Sequence, residues 1–334
     1  MNTIKDVAER AGVSIATVSR VFNDSSSVKS KTRDLVLQTA RELAYSPNIL
    51  ARGLMRKKTE TIGVVLPDLS GEFFSEVIRG IDEVAARRGY HILLSSSHSR
   101  LDDMERLLRL MAQGRVDGLL LMAPQLRKDL LPLLSTTKLP LVLLESSLEG
   151  LDADSYYIDN FRGAYLVVQH LIEHGHRRIA VIMGPEDNFD ARERHKGYQA
   201  ALTEKDIPFD GELAFKGDFQ KRSGYFGMKR ILSLDDPPTA VFAANDDMAI
   251  GAMEAAKEAK KAIPEDIAIV GFDDIPISRY VSPRLTTVHM PIYEMVSRAT
   301  ERVINRIEEA ETGEIEKRML SAGLMVRQSC GCSY

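Results

Sequence analysis

Residues 4–22 read IKDVAERAGVSIATVSRVF, and this stretch carries the strongest structural signal in the 334-residue chain. Its first apolar residues follow helical spacing, and Gly12 then suits a tight turn that requires positive φ. Ser14 is placed to cap a second helix, whose apolar face includes Val18. Small Ala8 lets the two helices approach closely, and Val18 fills the space between them. The stretch therefore predicts a helix-turn-helix.

A third helix is predicted over residues 30–44, so that three short helices would share one small core. An ordinary helical hairpin would explain the apolar positions. It would not explain the exposed face of the second helix, which carries short or basic groups that can approach DNA: Ser14, Thr17, Ser19 and Arg20. We therefore predict an all-α helix-turn-helix DNA-binding headpiece over residues 1–46.

The charge of the chain is unevenly distributed. Residues 1–58 hold eleven Lys or Arg and five acidic residues, a net charge of +6, whereas the remainder carries −10. A basic head on an acidic body indicates that the head meets a polyanion and the body does not. Taken alone, the charge is also compatible with a solvated basic surface.

The composition restricts the class of protein. Hydrophobic residues make up 44% and charged residues 28%, which excludes a disordered, collagen-like or coiled-coil chain. The only two cysteines, Cys330 and Cys332, exclude a disulfide framework. The N-terminus lacks the apolar segment of a secretory signal, and no run of eighteen apolar residues occurs, so we expect a cytoplasmic protein associated with the nucleoid and without a membrane partner.

Residues 47–60 are predicted to link the headpiece to the body. Pro47 ends the third helix, and the segment that follows is too short, and too weakened by Gly53, to be a stable helix alone. Its apolar side chains in a basic setting, including Leu54 and Met55, would suit a wedge inserted into the minor groove. A plain tether between domains is the alternative.

The body alternates apolar strand-like runs with amphipathic helical runs. Near-continuous apolar strands between helices indicate parallel sheets buried on both faces, and two such sets indicate two α/β halves with a ligand cleft beyond the carboxyl ends of their strands. The strands are predicted at 61–66, 90–94, 117–122, 179–183, 240–244 and 267–272, and the helices at 72–88, 104–113, 162–174, 194–205 and 248–259.

At full length the chain resembles the LacI/GalR family of bacterial transcription regulators, which includes purine, cytidine and sugar repressors. The motifs that carry the resemblance are IKDVAERAGVSIATVSRVFND, LAYSPNILARGL, TIGVVLPDLSGEFFSEVIRGI, DGLLLM at 117–122, GHRRIAVIMGP at 175–185, PTAVFAANDDMAIG at 238–251, IAIVGFDDIPISRY at 267–280 and LTTVHMP at 285–291. The resemblance implies a homodimer on a pseudo-palindromic operator.

The resemblance also implies an α/β periplasmic-binding-protein-like core of two doubly wound parallel-sheet subdomains, crossed by three strands. We expect a headpiece at 1–46, a hinge helix at 47–60 and a core for effector binding and dimerisation at 61–334. Subdomain 1 would span about 61–160 plus 289–320, and subdomain 2 about 161–288 plus 321–334.

Residues for DNA binding are carried over by position. Ile15 and Ala16 stand where the family chooses its operator sequence, but they can touch only a thymine methyl, so specificity would depend on Arg20, Thr17 and DNA shape. By resemblance, Leu54 of each chain would wedge into a central step. The full predicted set is Thr3, Ser14, Ile15, Ala16, Thr17, Ser19, Arg20, Asn23, Tyr45, Ser46, Ala51, Leu54 and Met55.

Residues for effector binding follow the predicted strands. Adjacent aromatic rings in a loop either pack inward or grip a ligand ring, a carboxylate can accept two sugar hydroxyls, and Arg194, placed at a predicted helix start, can fork onto ring oxygens. The predicted set is Phe73, Phe74, Asn188, Asp190, Arg194, Phe219, Asn245 and Asp273. Structural roles are the alternative: Phe74 in the core, and Asp246 and Asp274 as caps.

The identity of the effector rests on two departures from the family. Asn188 and Asp190 stand where a purine-binding member supplies Arg and Thr, and an acid there argues against a purine base. We therefore predict a pentose or hexose, in a repressor of a catabolic operon. A nucleoside or purine, or control by a protein partner, is the alternative.

Enzyme and metal motifs are missing from the sequence. No GxGxxG, GxxxxGK[ST], HExxH or GxSxG occurs. His174 and His176 resemble a metal pair without a third ligand nearby in sequence, and Cys330 with Cys332 is expected to lie in a frayed tail. We predict a regulator that is not an enzyme, with no cofactor and no metal site.

Overall fold

The computed structural model describes residues 2–22, 27–45, 58–124, 130–137, 139–146, 150–309 and 313–332. The chain divides into two compact units, Met1–Thr59 and Glu60–Tyr334. Among the described residues, no helix is both long and apolar enough to cross a membrane.

Over residues 2–22 and 27–45, the first unit forms the three helices of the predicted headpiece. It contains α1 (Ile4–Ala11), α2 (Ile15–Phe22) and α3 (Ser30–Glu42). Gly12 has a φ of 67°, in the left-handed region that an L side chain rarely adopts, and it turns the chain between α1 and α2. The Ser14 hydroxyl oxygen accepts a hydrogen bond from the Thr17 amide at 3.1 Å, which caps α2.

The headpiece core is built from the small and branched residues of the three helices. Val7, Val18 and Val36, one from each helix, are fully buried, and Ala8 lies beside them. The third helix is shorter than predicted because Ala44 adopts a φ of 49°, which ends the helical path.

The second unit is an α/β core with two six-stranded sheets. Its strands are β1 (Thr61–Leu66), β2 (His91–Ser96), β3 (Gly118–Met122), β4 (Leu141–Leu144), β5 (Asp154–Ile158), β6 (Ile179–Met183), β7 (Ala214–Lys216), β8 (Ala240–Ala243), β9 (Ala268–Asp273), β10 (Thr286–His289), β11 (Lys317–Leu320) and β12 (Gly323–Met325). Its helices are α4 (Gly71–Arg87), α5 (Leu101–Met111), α6 (Leu131–Thr136), α7 (Asn160–Glu173), α8 (Phe189–Glu204), α9 (Lys221–Ile231), α10 (Asp246–Glu258) and α11 (Ile292–Glu309).

The first sheet has the order β11-β5-β4-β3-β1-β2, and all its pairs are parallel. The second has the order β12-β10-β9-β8-β6-β7, and only the β10–β12 pair is antiparallel. The parallel pairing agrees with the buried apolar runs of the strands, such as Val64–Leu66 in β1, because parallel sheets are covered by helices on both faces. The predicted fold class is confirmed.

The chain crosses between the two sheets three times. β1 to β5 belong to the first sheet and β6 to β10 to the second; the chain then returns for β11 and crosses again for β12. Helix α7 follows the first crossing and packs against the second sheet, whereas α11 follows the second crossing and packs against the first.

Helix α8 begins earlier than its pattern indicated. The sequence placed its start at residue 194, but the helix begins at Phe189, because the Asn188 side-chain oxygen accepts from the Ala191 amide at 2.9 Å and caps it. The predicted placement of Arg194 at a helix start is therefore wrong. This residue lies in the second turn, with its side chain buried.

Candidate functional site

The exposed face of α2 presents small and basic side chains. Ser14, Ile15, Ala16 and Arg20 are exposed, and Ile15 retains 45% of its accessible surface. The hydroxyls of Ser14 and Thr17 lie 2.9 Å apart at the start of the helix. A protruding helix with short side chains and a cation near its end can enter the major groove of DNA without steric obstruction.

Two other predicted DNA contacts, Thr3 and Tyr45, have partners within the headpiece. The Thr3 amide and hydroxyl both donate to the Asp6 carboxylate, at 2.6 and 2.8 Å, at the start of α1. Tyr45 is half-buried, with its ring edge-on to Phe22 at 5.7 Å between centroids, and burial raises the pKa of its phenol. Ser19 has a partner in the structure. The predicted contacts Asn23, Ser46, Ala51, Leu54 and Met55 lie outside the described residues.

In the core, Arg194 is the centre of a buried polar cluster. Its side chain is 5% exposed and forms an ion pair with Asp273 at 3.0 Å. Its Nε donates to Asn160 Oδ1 at 2.8 Å, and Nη1 also donates to the carbonyl oxygen of Ala244 at 2.6 Å. Phe272 closes the other side, with its ring centroid 3.8 Å from the guanidinium carbon. These contacts fix the arginine in one position.

The cluster holds more acid than base. Burial raises the pKa of Asp190 to about 7, and the effect of Arg194 opposes that rise. Burial likewise raises the pKa of Asp273 to about 7, again opposed by Arg194. Glu145 has a pKa well above its usual range, first because it is buried and second because Asp190 repels its charge. At neutral pH these carboxyls can therefore carry a proton, and they can donate as well as accept hydrogen bonds to a ligand.

Glu145 and Asn160 were not predicted as site residues. Asn160 Nδ2 lies 3.3 Å from Glu145 Oε2 and 3.2 Å from Asp190 Oδ1, so it joins the two carboxyls. The other Glu145 oxygen, Oε1, is buried and has no hydrogen-bond partner among the residues that the structure describes. A sequence signal was available, because Glu145 directly follows β4 just as Asp274 follows β9, at the edge where parallel strands end.

Two predicted contacts serve the protein itself. Asn188 caps α8, and the Asn245 side-chain oxygen accepts from the Met248 amide at 2.9 Å to cap α10, while its nitrogen donates to the Phe219 carbonyl at 3.0 Å. Asn245, rather than Asp246, is therefore the helix cap. Asp246 instead accepts hydrogen bonds from Thr287 and the Ile275 amide.

The aromatic residues divide between the two halves of the core. Phe73 and Phe74 are edge-on to each other at 5.2 Å, partly buried against the core at the start of α4. Phe219 has a φ of 67° and its ring lies 5.7 Å from the Arg194 guanidinium. The structure thus gathers Arg194, Asp190, Asp273 and Phe219, and uses Phe73 and Phe74 in part for packing.

The comparisons with known proteins agree with this architecture. A family model described as bacterial regulatory proteins of the lacI family matches residues 3–48, and a model of the periplasmic binding protein-like domain matches residues 168–330. The HTH-type transcriptional repressor PurR of Photorhabdus laumondii is 39% identical over 326 residues, 96% of each chain.

Two solved structures are similar over nearly the whole chain. The lac repressor dimer bound to operator and the anti-inducer ONPF has a TM-score of 0.88 at 30% identity, and the match covers 98% of this chain and 99% of that one. The complex of the transcriptional regulator CelR with cellobiose has a TM-score of 0.74 at 33% identity, covering 98% and 100%.

Proposed function

This chain belongs to the LacI family of bacterial regulatory proteins and is a DNA-binding transcriptional repressor rather than an enzyme, and we propose that a small effector in the core cleft controls its hold on a pseudo-palindromic operator. Two chains pair through their cores, so that the two-fold axis of the dimer matches that of the operator. Because it would bind an operator, we expect the repressor to act at the nucleoid, in the cytoplasm. The buried Arg194 cluster is the observation that carries the effector proposal.

We assign operator recognition to the exposed face of α2. Arg20 offers a guanidinium that can bind a base edge or a phosphate, and the Ser14 and Thr17 hydroxyls are placed for phosphate or base contacts. Ile15 and Ala16 bring only apolar surface, which limits them to thymine methyl groups. Leu54 of the hinge is assigned the apolar wedge.

Replacing Arg20 with Ala should weaken operator binding about 10- to 100-fold, because one specific contact from an arginine is worth roughly 1–3 kcal/mol. DNA fragments enriched by the wild-type protein from a random pool would serve as the operator, with affinity measured by fluorescence anisotropy. Lys257→Ala removes the same charge from the exposed surface of α10 and should leave the affinity unchanged. Equal affinity of both variants would overturn the assignment of Arg20.

For the effector, we place a nitrogen heterocycle of the purine or nucleoside kind ahead of a sugar. The relatives named PurR favour the purine-responsive alternative. The cleft supports it chemically, because its carboxyls and the buried Glu145 Oε1 can exchange hydrogen bonds with the N–H groups and ring nitrogens of a heterocycle, and Phe219 offers a ring face. This order reverses the one drawn from the sequence, which relied on Asn188 and the acid at Asp190 in place of the Arg and Thr of a purine-binding member.

A pentose or hexose stays as the second candidate. The cellobiose complex of CelR is the observation that favours it, and carboxylates also accept sugar hydroxyls. A thermal-shift screen of free bases, nucleosides, pentoses and hexoses separates the two, since a ligand at 100 times its Kd stabilises the folded state by about 2.7 kcal/mol. Stabilisation by sugars alone would overturn the assignment of a heterocyclic effector. If no ligand raised the melting temperature, control by a protein partner would be favoured.

Coupling of effector to DNA is assigned to closure of the two core halves. The Phe189 amide donates to the Pro124 carbonyl at 2.9 Å, and the Ile277 amide donates to Glu72 Oε2 at 2.8 Å, so these contacts, with the Asn160–Glu145 hydrogen bond, already join the halves. A ligand that binds both halves strengthens this arrangement. Such a linkage typically changes DNA affinity by about 1–3 kcal/mol.

A further inference from the structure

The C-terminal tail forms a cluster of sulfur and imidazole side chains on α7. Cys330 Sγ lies 3.3 Å from His170 Nε2, and Cys332 Sγ lies 3.7 Å from the same nitrogen. His174 Nε2 lies 3.0 Å from Cys332 Sγ. The donor atoms of His170, Cys330 and Cys332 all fall within 4.8 Å of one another. The tail is therefore ordered through Cys332, and the expectation that it frays was wrong.

The geometry points to a site for a divalent metal ion of the Zn²⁺ type, bound by Cys330, Cys332 and His170, with His174 beside Cys332 as the fourth ligand once its ring turns toward the ion. In a tetrahedral shell with Zn–S of about 2.3 Å and Zn–N of about 2.0–2.1 Å, sulfur and nitrogen ligands stand roughly 3.5 Å apart. The three sulfur–nitrogen separations observed, 3.0, 3.3 and 3.7 Å, surround that value. Two thiolates and two imidazoles are a ligand set that Zn²⁺ prefers.

Local backbone structure brings the ligands together before any ion binds. His170 and His174 are one helical turn apart on α7 and so share a face. Gly331 has a φ of 93°, which lets the chain reverse between the two cysteines so that both thiols reach the helix. A side chain at this position would be strained in that conformation.

Other residues orient these ligands. His174 Nδ1 lies 2.8 Å from the His170 carbonyl oxygen, which places the proton on Nδ1 and leaves Nε2 free to bind an ion. Thr286 donates to Cys330 Sγ at 3.1 Å. Ser329 fixes the tail beside the second sheet, because its hydroxyl accepts from the Thr286 amide at 2.8 Å and donates to the Ile269 carbonyl at 2.5 Å.

The site would be structural in kind. Three protein ligands already stand together, and when His174 takes the fourth position the tetrahedral shell leaves none for a substrate. The ion would join the residues after the third crossing between subdomains to α7, the helix that follows the first crossing. It would thereby hold two of the three connections in a fixed relation.

The test uses untagged full-length protein, reduced and stripped of metal, and titrated with Co²⁺ followed by Zn²⁺. We expect one Co²⁺ per chain, with the visible bands of tetrahedral cobalt and a near-ultraviolet thiolate charge-transfer band, both displaced by Zn²⁺. Cys332→Ser, which alters a partly exposed side chain, should lower Zn²⁺ affinity at least about 100-fold, the upper range for loss of a single supporting group.

His176→Ala is the matched control, because His176 lies two residues from His174 but hydrogen-bonds Thr239 instead of the cluster. It should bind Co²⁺ as the wild-type protein does. Circular dichroism of each variant establishes that it is folded. Absence of stoichiometric Co²⁺ binding, or retention of the charge-transfer band in the Cys330→Ser/Cys332→Ser double variant, would overturn the site. So would an equal loss in His176→Ala.

Discussion

Replacing Arg194 with Met is expected to lower the free energy of unfolding of the core by about 3–5 kcal/mol. The side chain is 5% exposed, and its removal leaves the Asp273 carboxylate, the Asn160 carbonyl and the Ala244 carbonyl without their donor. Methionine has a similar length, so the cost arises from the unpaired buried groups rather than from a cavity. Urea unfolding followed by circular dichroism measures the change.

Lys196→Met is the matched control on the same helix. Lys196 is 61% exposed and pairs only with the nearby Glu193, at 2.6 Å, so its loss should cost less than about 1 kcal/mol. If both variants lost similar stability, Arg194 would not hold the cluster together. The Arg194→Met protein, where it stays folded, should also lose its response to the effector in the thermal-shift screen.

Asp190→Asn is expected to stabilise the protein above pH 7, by roughly 2–4 kcal/mol relative to the wild-type chain. Burial raises the pKa of Asp190 to about 7, so between about pH 4 and 7 the folded state binds a proton that the unfolded state has released. Wild-type stability therefore falls as the pH rises through this window. An asparagine side chain does not titrate in this range. The variant therefore loses the part of the pH-dependent fall in stability that comes from Asp190.

The measurement is a series of urea unfolding curves from pH 4 to 8. Asp187→Asn, a change at an exposed carboxylate in the turn just before α8, should run parallel to the wild-type curve. A difference between Asp190→Asn and the wild-type protein that stayed constant with pH would contradict a raised pKa. Because the effector would use the same carboxyls, its affinity should also depend on pH in this range.

The architecture could be predicted from sequence because each element carries a local pattern. Gly12 and Ser14 marked the turn and the cap of the headpiece, and the apolar runs of β1 and β6 gave their bounds to the residue. Patterns of this kind depend only on neighbours along the chain. The family motifs extended the prediction to the whole length.

The cleft was predicted less well, because its contacts join distant segments. Asn188 and Asn245 looked like ligands, but the helix amides beside them use their oxygens. Glu145 and Asn160 come from β4 and α7, and their meeting with Asp190 depends on how the two halves face each other. Likewise, no pattern in the sequence near Cys330 indicates its contact with His170, which lies 160 residues earlier.

The three crossings between the sheets affect the order in which the parts of the protein can fold during synthesis on the ribosome. Neither half of the core is a continuous piece of chain: the first sheet receives its edge strand β11 and its covering helix α11 only after almost all of the second half has been made. The headpiece, complete within the first residues, can fold as soon as it emerges. The core can complete its fold only after its last strands have been synthesised. The nascent repressor therefore has a folded DNA-binding headpiece before its core is complete.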